Sequence, residues 1–244
     1  MTNPRMYQAT QMSCGQTFEL DDNTFGHAVR VLRMSNGDDI RFFNGEDGFE
    51  YQCQLTDVSK KKAFAQVISK TAVNNESNLT LHLGQGISRG DRMDFTLQKS
   101  VELGVSEITP LFTERCGVKL TGDRLAKKKD QWQKIVISAC EQSGRVFVPK
   151  VNDPIWLEDW LKEPTDDLKI NLHPRAQHSI MSLPQQSENV RLLIGPEGGL
   201  SNEEIDQATQ HNFVEVLIGP RVLRTETAAL TAITALQCRY GDLA

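Results

Sequence analysis

Two rhythms of apolar and polar positions divide the chain. Over residues 1–72 apolar residues alternate with polar ones in short runs, at 16–20, 40–43, 49–55 and 63–69, and a period of two predicts half-buried strands. Asn44-Gly45 and Asp47-Gly48 punctuate them as tight turns. One helical stretch interrupts the strands: Phe25, Val29 and Leu32 recur at near-helical spacing behind Asp21 and Asp22, either of which can cap the helix. The pattern predicts a small β-barrel. Residues 71–78, TAVNNESN, are polar and without period, and read as the linker to a second domain.

From Leu79 the pattern changes. Apolar runs at 79–84, 106–112, 168–172, 190–194 and 213–218 predict buried strands, and they alternate with helical patterns at 91–103, 123–142, 202–211 and 225–240. Gly104 and Gly144 close two of these helices, Ser201 and Glu204 form a capping box, and Asp153-Pro154 predicts a short helix with Pro at its first position. Alternating strands and helices imply an α/β domain over residues 73–244, with a mostly parallel sheet covered on both faces.

Composition adds exclusions. With 39% hydrophobic and 24% charged residues in 244, the chain reads as an ordinary globular protein. The longest apolar runs fall far short of the roughly 18–20 residues a membrane helix needs. MTNPRMYQAT has no apolar export region, so a cytoplasmic protein is expected. The five cysteines are scattered and never spaced C-x-x-C, which disfavours a zinc site or a disulfide framework and suggests buried small hydrophobes. No metal is expected.

Candidate chemistry lies near the C-terminus. LLIGPEGGL at 192–200 and VLIGPRVLRTET at 216–227 are each a buried strand ending in Gly-Pro. Ligands in open α/β sheets bind beyond the carboxyl ends of strands, so two such loops predict two walls of one pocket. Neither a phosphate-loop nor a dinucleotide fingerprint is present, which favours a nucleoside held by backbone hydrogen bonds.

These residues resemble a known family. GPEGGLSNEE at 195–204, IGPRVLRTETAAL at 218–230, SRGDRMDFTLQKSVELGV at 88–105, ERCGVKL at 114–120 and NLHPRA at 171–176 look like the bacterial 16S rRNA uridine-N3 methyltransferases. That family belongs to the knotted SPOUT class, which uses S-adenosyl-L-methionine (SAM). The resemblance implies a PUA-like RNA-binding barrel at 1–72, a trefoil-knot methyltransferase domain at 73–244 and an obligate homodimer acting on 16S rRNA of the small ribosomal subunit. By the same resemblance Leu172, His173, Pro174, Gly195, Pro196, Glu197, Gly198, Gly199, Ile218, Gly219, Pro220, Leu223, Thr225 and Ala228 would hold the cofactor, with Leu172, Ile218 and Leu223 against the adenine.

The reaction asks for alignment of sulfur, methyl and N3, and for an acceptor for the N3 proton. Arg221 or Arg224 can stabilise charge growing on the uracil carbonyls, and Glu197 or Glu226 can accept the proton. The sequence leaves these four open. Glu197 has no evident structural task, whereas Glu226 also suits a helix start.

The formal charge of -5 argues against a nucleic-acid partner until it is resolved along the chain. Residues 86–150 carry +4 and residues 151–244 carry -7. Arg89, Arg92, Arg115, Lys119 and Arg145 in the basic stretch, with Arg5, Arg30 and Arg33 in the barrel, are the expected RNA contacts. The Lys127–Lys129 run reads as a solvated helix face, and Trp132, Trp156 and Trp160 as core.

Overall fold

The computed structural model describes residues 3–118, 120–183 and 185–243. The chain forms two compact units, Met1–Glu76 with Cys140–Val148, and Ser77–Ala139 with Pro149–Ala244. The first unit thus takes in a late segment that no local pattern marks.

In the first unit β1 (Arg5–Tyr7), β2 (Thr17–Glu19), β3 (Asp39–Phe43), β4 (Phe49–Thr56) and β5 (Phe64–Ala72) form one sheet in the order β1-β3-β4-β5-β2. Only β1 and β3 run parallel. The period of two is realised in β4, where Tyr51, Cys53 and Leu55 point into a core with Phe18, Ile40 and Phe42. Helix α1 (Asp22–Phe25) is capped by Asp21, whose carboxylate accepts the Thr24 N–H at 2.8 Å, and it continues into a π-helical turn over Gly26–Val31.

Arg5 ties the late segment in. Its guanidinium donates to Glu50 at 2.6 Å and to the carbonyls of Cys140 at 2.7 Å and Arg145 at 2.8 Å, and lies 4.0 Å from the centre of the Phe43 ring. Arg145 in turn is buried and donates to the Glu76 carboxylate at 3.0 Å. Both were expected to face RNA. Instead their charges are consumed by the protein, because a buried guanidinium must be paired where it stands.

The second unit is built on an all-parallel sheet. Its strands are β6 (Thr80–Gly86), β7 (Glu107–Phe112), β8 (Lys150–Val151), β9 (Ile155–Trp156), β10 (Leu168–Leu172), β11 (His178–Ser179), β12 (Asn189–Ile194) and β13 (Val214–Leu217). They order as β11-β13-β10-β12-β6-β7-β8, with β9 also on β7. The helices are α2 (Asp91–Glu102), α3 (Gly122–Ser143), whose last residues from Cys140 belong to the first unit, α4 (Leu157–Lys162), α5 (Asn202–Gln210) and α6 (Thr225–Tyr240). Helix α2 packs against α6, and α4 against α5. The order contains a crossing: from β10 the chain runs out to β11, returns past β10 to β12, then crosses back to lay β13 between β10 and β11.

Two local expectations fail at one place. After Asp153-Pro154 the chain forms β9 on the edge of β7, with Ile155 beside Leu111, and α4 begins only at Leu157. Edge pairing there captures residues that Pro alone would start as a helix. Trp156 consequently points outward, 60% exposed, whereas Trp132 and Trp160 are fully buried. Lys128 and Lys129 pair with Asp94 and Asp153 on a partly exposed helix face. Cys53 and Cys140 are buried, but Cys14 and Cys238 are exposed. Among the described residues no helix is long and apolar enough to cross a membrane, and no group of three or more metal-ligating side chains occurs.

The Trp160 ring lies directly on the backbone of β6 at Gly84, where a Cβ would collide with it. Gly84→Ala should therefore destabilise the second unit by about 1–3 kcal/mol, since an overpacked core forces ring or strand to shift. Denaturant midpoints will measure this, and an unchanged midpoint would show that the contact is soft.

Candidate active site

A cavity of about 470 Å³ opens at the carboxyl ends of β10, β12 and β13. Three connections form its walls: residues 172–175, residues 194–200, and residues 217–226 leading into α6. Leu172, Ile194, Leu217, Ile218 and Leu223 give it apolar surface, while the glycines expose backbone.

Close backbone approach brings the walls together. A Cβ at Gly86, the last residue of β6, would lie 2.5 Å from the Pro196 nitrogen, so only glycine lets the 195–199 loop rest there. That loop closes on itself, with the Gly199 N–H donating to the Pro196 carbonyl at 2.8 Å and Gly199 at φ 68°. The capping box follows: Ser201 N–H donates to Glu204 at 2.8 Å, and the Glu204 N–H to the Ser201 hydroxyl at 3.3 Å. On the facing wall the Thr225 hydroxyl donates to the Gly195 carbonyl at 2.6 Å.

The charged groups differ in how far they are already satisfied. Glu197 accepts the Arg89 backbone N–H at 2.9 Å and the Arg92 guanidinium at 3.2 Å. Burial would raise its pKa, but backbone N–H groups and Arg92 outweigh burial and hold the carboxyl below its ordinary range. The loop carboxylate therefore has a structural task after all, fastening the start of α2 to the 195–199 wall. Arg115 braces the same wall, donating to the carbonyls of Gly198 and Leu200, each at 3.2 Å. Glu226 behaves differently: its Oε2 is buried at the cavity with no hydrogen-bond partner. His173 lines the cavity with its Nδ1 3.6 Å from Glu215 Oε2, too far to bond. Burial, assisted by Arg175 and opposed by Glu215, lowers its pKa and keeps the ring neutral at pH 7.

The expected cofactor residues converge on this cavity, apart from Pro220, which lies outside its lining. Arg221, Arg224, Glu197 and Glu226 all line it as well. Arg92 and Arg115, expected as RNA contacts, also stand in its wall, with Arg89 beside them at Gly117. Arg175, Val222 and Leu200 line it too and were not foreseen; Arg175 was within reach, two residues beyond His173 in the same loop. Five arginines face two carboxylates here, so the cavity is basic in an acidic chain. In the first unit Arg30 and Arg33 are exposed, Arg30 resting 5.1 Å from the Phe25 ring centre. Lys119 lies outside the described residues.

Fold and site together define an α/β protein that takes a small ligand with apolar faces at crossed strand ends, under a basic rim. Residues 75–237 match the family described as RNA methyltransferase domain, and residues 20–68 the RNA methyltransferase PUA domain. The chain belongs to this RNA methyltransferase family, with a mixed α/β architecture and the PUA sheet in the first unit. It is 39% identical over 241 residues to ribosomal RNA small subunit methyltransferase E of Buchnera aphidicola (strain Sg), covering 98% of each chain. It is 34% identical to the protein of that name from Bacillus subtilis, over 93% of this chain and 91% of the other. The solved ribosomal RNA small subunit methyltransferase E of Neisseria gonorrhoeae, bound to S-adenosyl methionine, is 42% identical with a TM-score of 0.92 over 100% of each chain.

The Glu197 link predicts a pH dependence. Its folded pKa is depressed, so its stabilisation is present above the unfolded value and is lost as pH falls through the folded one. Glu197→Gln should lower the thermal midpoint at pH 7 and converge with the parent protein in acid. An equal deficit at both pH values would refute the link.

Proposed function

We propose that the protein methylates N3 of one uridine in 16S rRNA of the small ribosomal subunit, using SAM. The observation that carries this is the pair of Gly-Pro loops meeting over one cavity, in a chain similar over its full length to enzymes of that name. The cavity suits SAM on its own terms: its volume falls within the range of small-ligand sites, and apolar side chains alternate with exposed backbone. Neutral His173 adds no charge to oppose a sulfonium.

SAM supplies an already activated methyl group. The residues here do the rest. Leu172, Ile218 and Leu223 would pack the adenine, and the backbone of 195–199 and 218–219 would hold the nucleoside and methionine parts. Arg224, at the N-cap of α6, and Arg221 stabilise the negative charge that gathers on the uracil carbonyls as N3 attacks. The N3 proton would pass to a carboxylate of this chain. Glu226 is the better acceptor, because its Oε2 is unpartnered and Glu197 is held by Arg89 and Arg92.

Arg89, Arg92, Arg115 and Arg175 form the basic approach for RNA phosphates in the second unit, and the exposed Arg30 and Arg33 bind RNA in the first. In this reading residues 1–72 bind RNA, residues 73–244 transfer the methyl group, and the protein works in the cytoplasm as a homodimer, as the family resemblance implies.

Calorimetric titration of the folded protein with SAM should show saturable binding, and its absence would sink the assignment. Arg224→Ala should keep the fold and SAM binding and lower kcat by about 100-fold, the usual loss for one charge-stabilising donor. Parental rates in that variant would exclude Arg224 from the chemistry.

A further inference from the structure

Gln85, next to last in β6, is fully buried between Ile194 of β12 and Pro110 of β7. It does not line the cavity. Its amide nitrogen donates to the Gly86 carbonyl at 3.0 Å and to the Thr225 hydroxyl at 3.0 Å, and that hydroxyl donates onward to the Gly195 carbonyl at 2.6 Å. One chain of hydrogen bonds thus joins the end of β6, the first turn of α6 and the 195–199 wall.

The other half of the amide carries a cost. Gln85 Oε1 is buried with no partner, a penalty that an apolar side chain of similar size would avoid. Packing therefore does not account for the residue, and its two donated bonds do. Thr225 sits between Arg224 and Glu226, the first at the N-cap of α6 and the second in its first turn. Fixing Thr225 fixes where both side chains start.

We propose that Gln85 is a positioning residue for methyl transfer: acting through the Thr225 hydroxyl, it sets Arg224 and Glu226 in register with the cavity wall at Gly195. This rests on the function proposed above. Gln85 binds neither reactant. Its loss leaves the 172–175 and 195–199 walls in place and lets the first turn of α6 drift from the reacting atoms, and small misplacements of that kind cost rate far more than affinity.

The test compares the parent protein with Gln85→Met, Thr225→Val, Thr225→Ser and the double variant Gln85→Met/Thr225→Val. SAM affinity is read by titration, and kcat by methyl transfer to small-subunit RNA. Gln85→Met should lower kcat by about 10- to 100-fold while SAM affinity moves far less and the pH profile keeps its shape. Because both residues act through one bond, the double variant should be no slower than Thr225→Val alone. Thr225→Ser, which restores the hydroxyl, should recover most of what Val loses. Parental kcat in folded Gln85→Met, multiplicative losses in the double variant, or parallel falls in kcat and SAM affinity would each overturn the proposal. Should Gln85→Met fail to fold, equal kcat in the Val and Ser variants of Thr225 would overturn it as well. A parent protein that neither binds SAM nor methylates RNA would instead overturn the function on which the proposal rests.

Discussion

The site depends on one backbone approach, that of Gly86 to the Gly195-Pro196 peptide, where a single methyl group would not fit. Neighbouring parallel strands normally diverge into separate loops at their carboxyl ends. Here β6 and β12 stay in register to Gln85 and Ile194, and the loop after β12 settles on the last residue of β6. That contact places the Gly195 carbonyl where the Thr225 hydroxyl reaches it from the third wall. Crossed connections at this end, disfavoured by general topology, become a device for collecting three loops around one small volume.

Electrostatics follow from the same collection. The chain is acidic overall, yet five arginines from four connections share the cavity with two carboxylates. Their states differ by partner. Arg92 and Glu197 satisfy each other, Arg115 spends part of its fork on loop carbonyls, and Glu226 keeps a buried oxygen unpaired. An acidic chain with a basic cavity mouth should favour RNA at the site, which suits selective rather than general binding.

Much of this was legible in the sequence. Period-two and helical rhythms placed the long strands and helices to within a few residues, and the capping box at Ser201 and Glu204 formed as its spacing required. The paired Gly-Pro loops announced a two-walled pocket. What the pattern could not show depends on distant partners. Arg5 and Arg145 look like any arginine in sequence, and only the fold reveals the carbonyls and carboxylates that bury them. Strands β8, β9 and β11 have two residues each, too short for a period. Glu197 lacked a task only because its partners, Arg89 and Arg92, lie more than a hundred residues away in the chain. Gln85 gave no signal, since one glutamine in a buried strand reads as a local blemish until its bond to Thr225 is seen.

The central claim is that the cavity directs the methyl group to a ring nitrogen of uridine. It is tested most directly by incubating the protein with small ribosomal subunits and labelled SAM, digesting the RNA to nucleosides and identifying the labelled one. A single product is expected, uridine methylated at N3, from one position of 16S rRNA. Label on a ribose 2′-oxygen or on another base, or no label from protein that binds SAM, would contradict it.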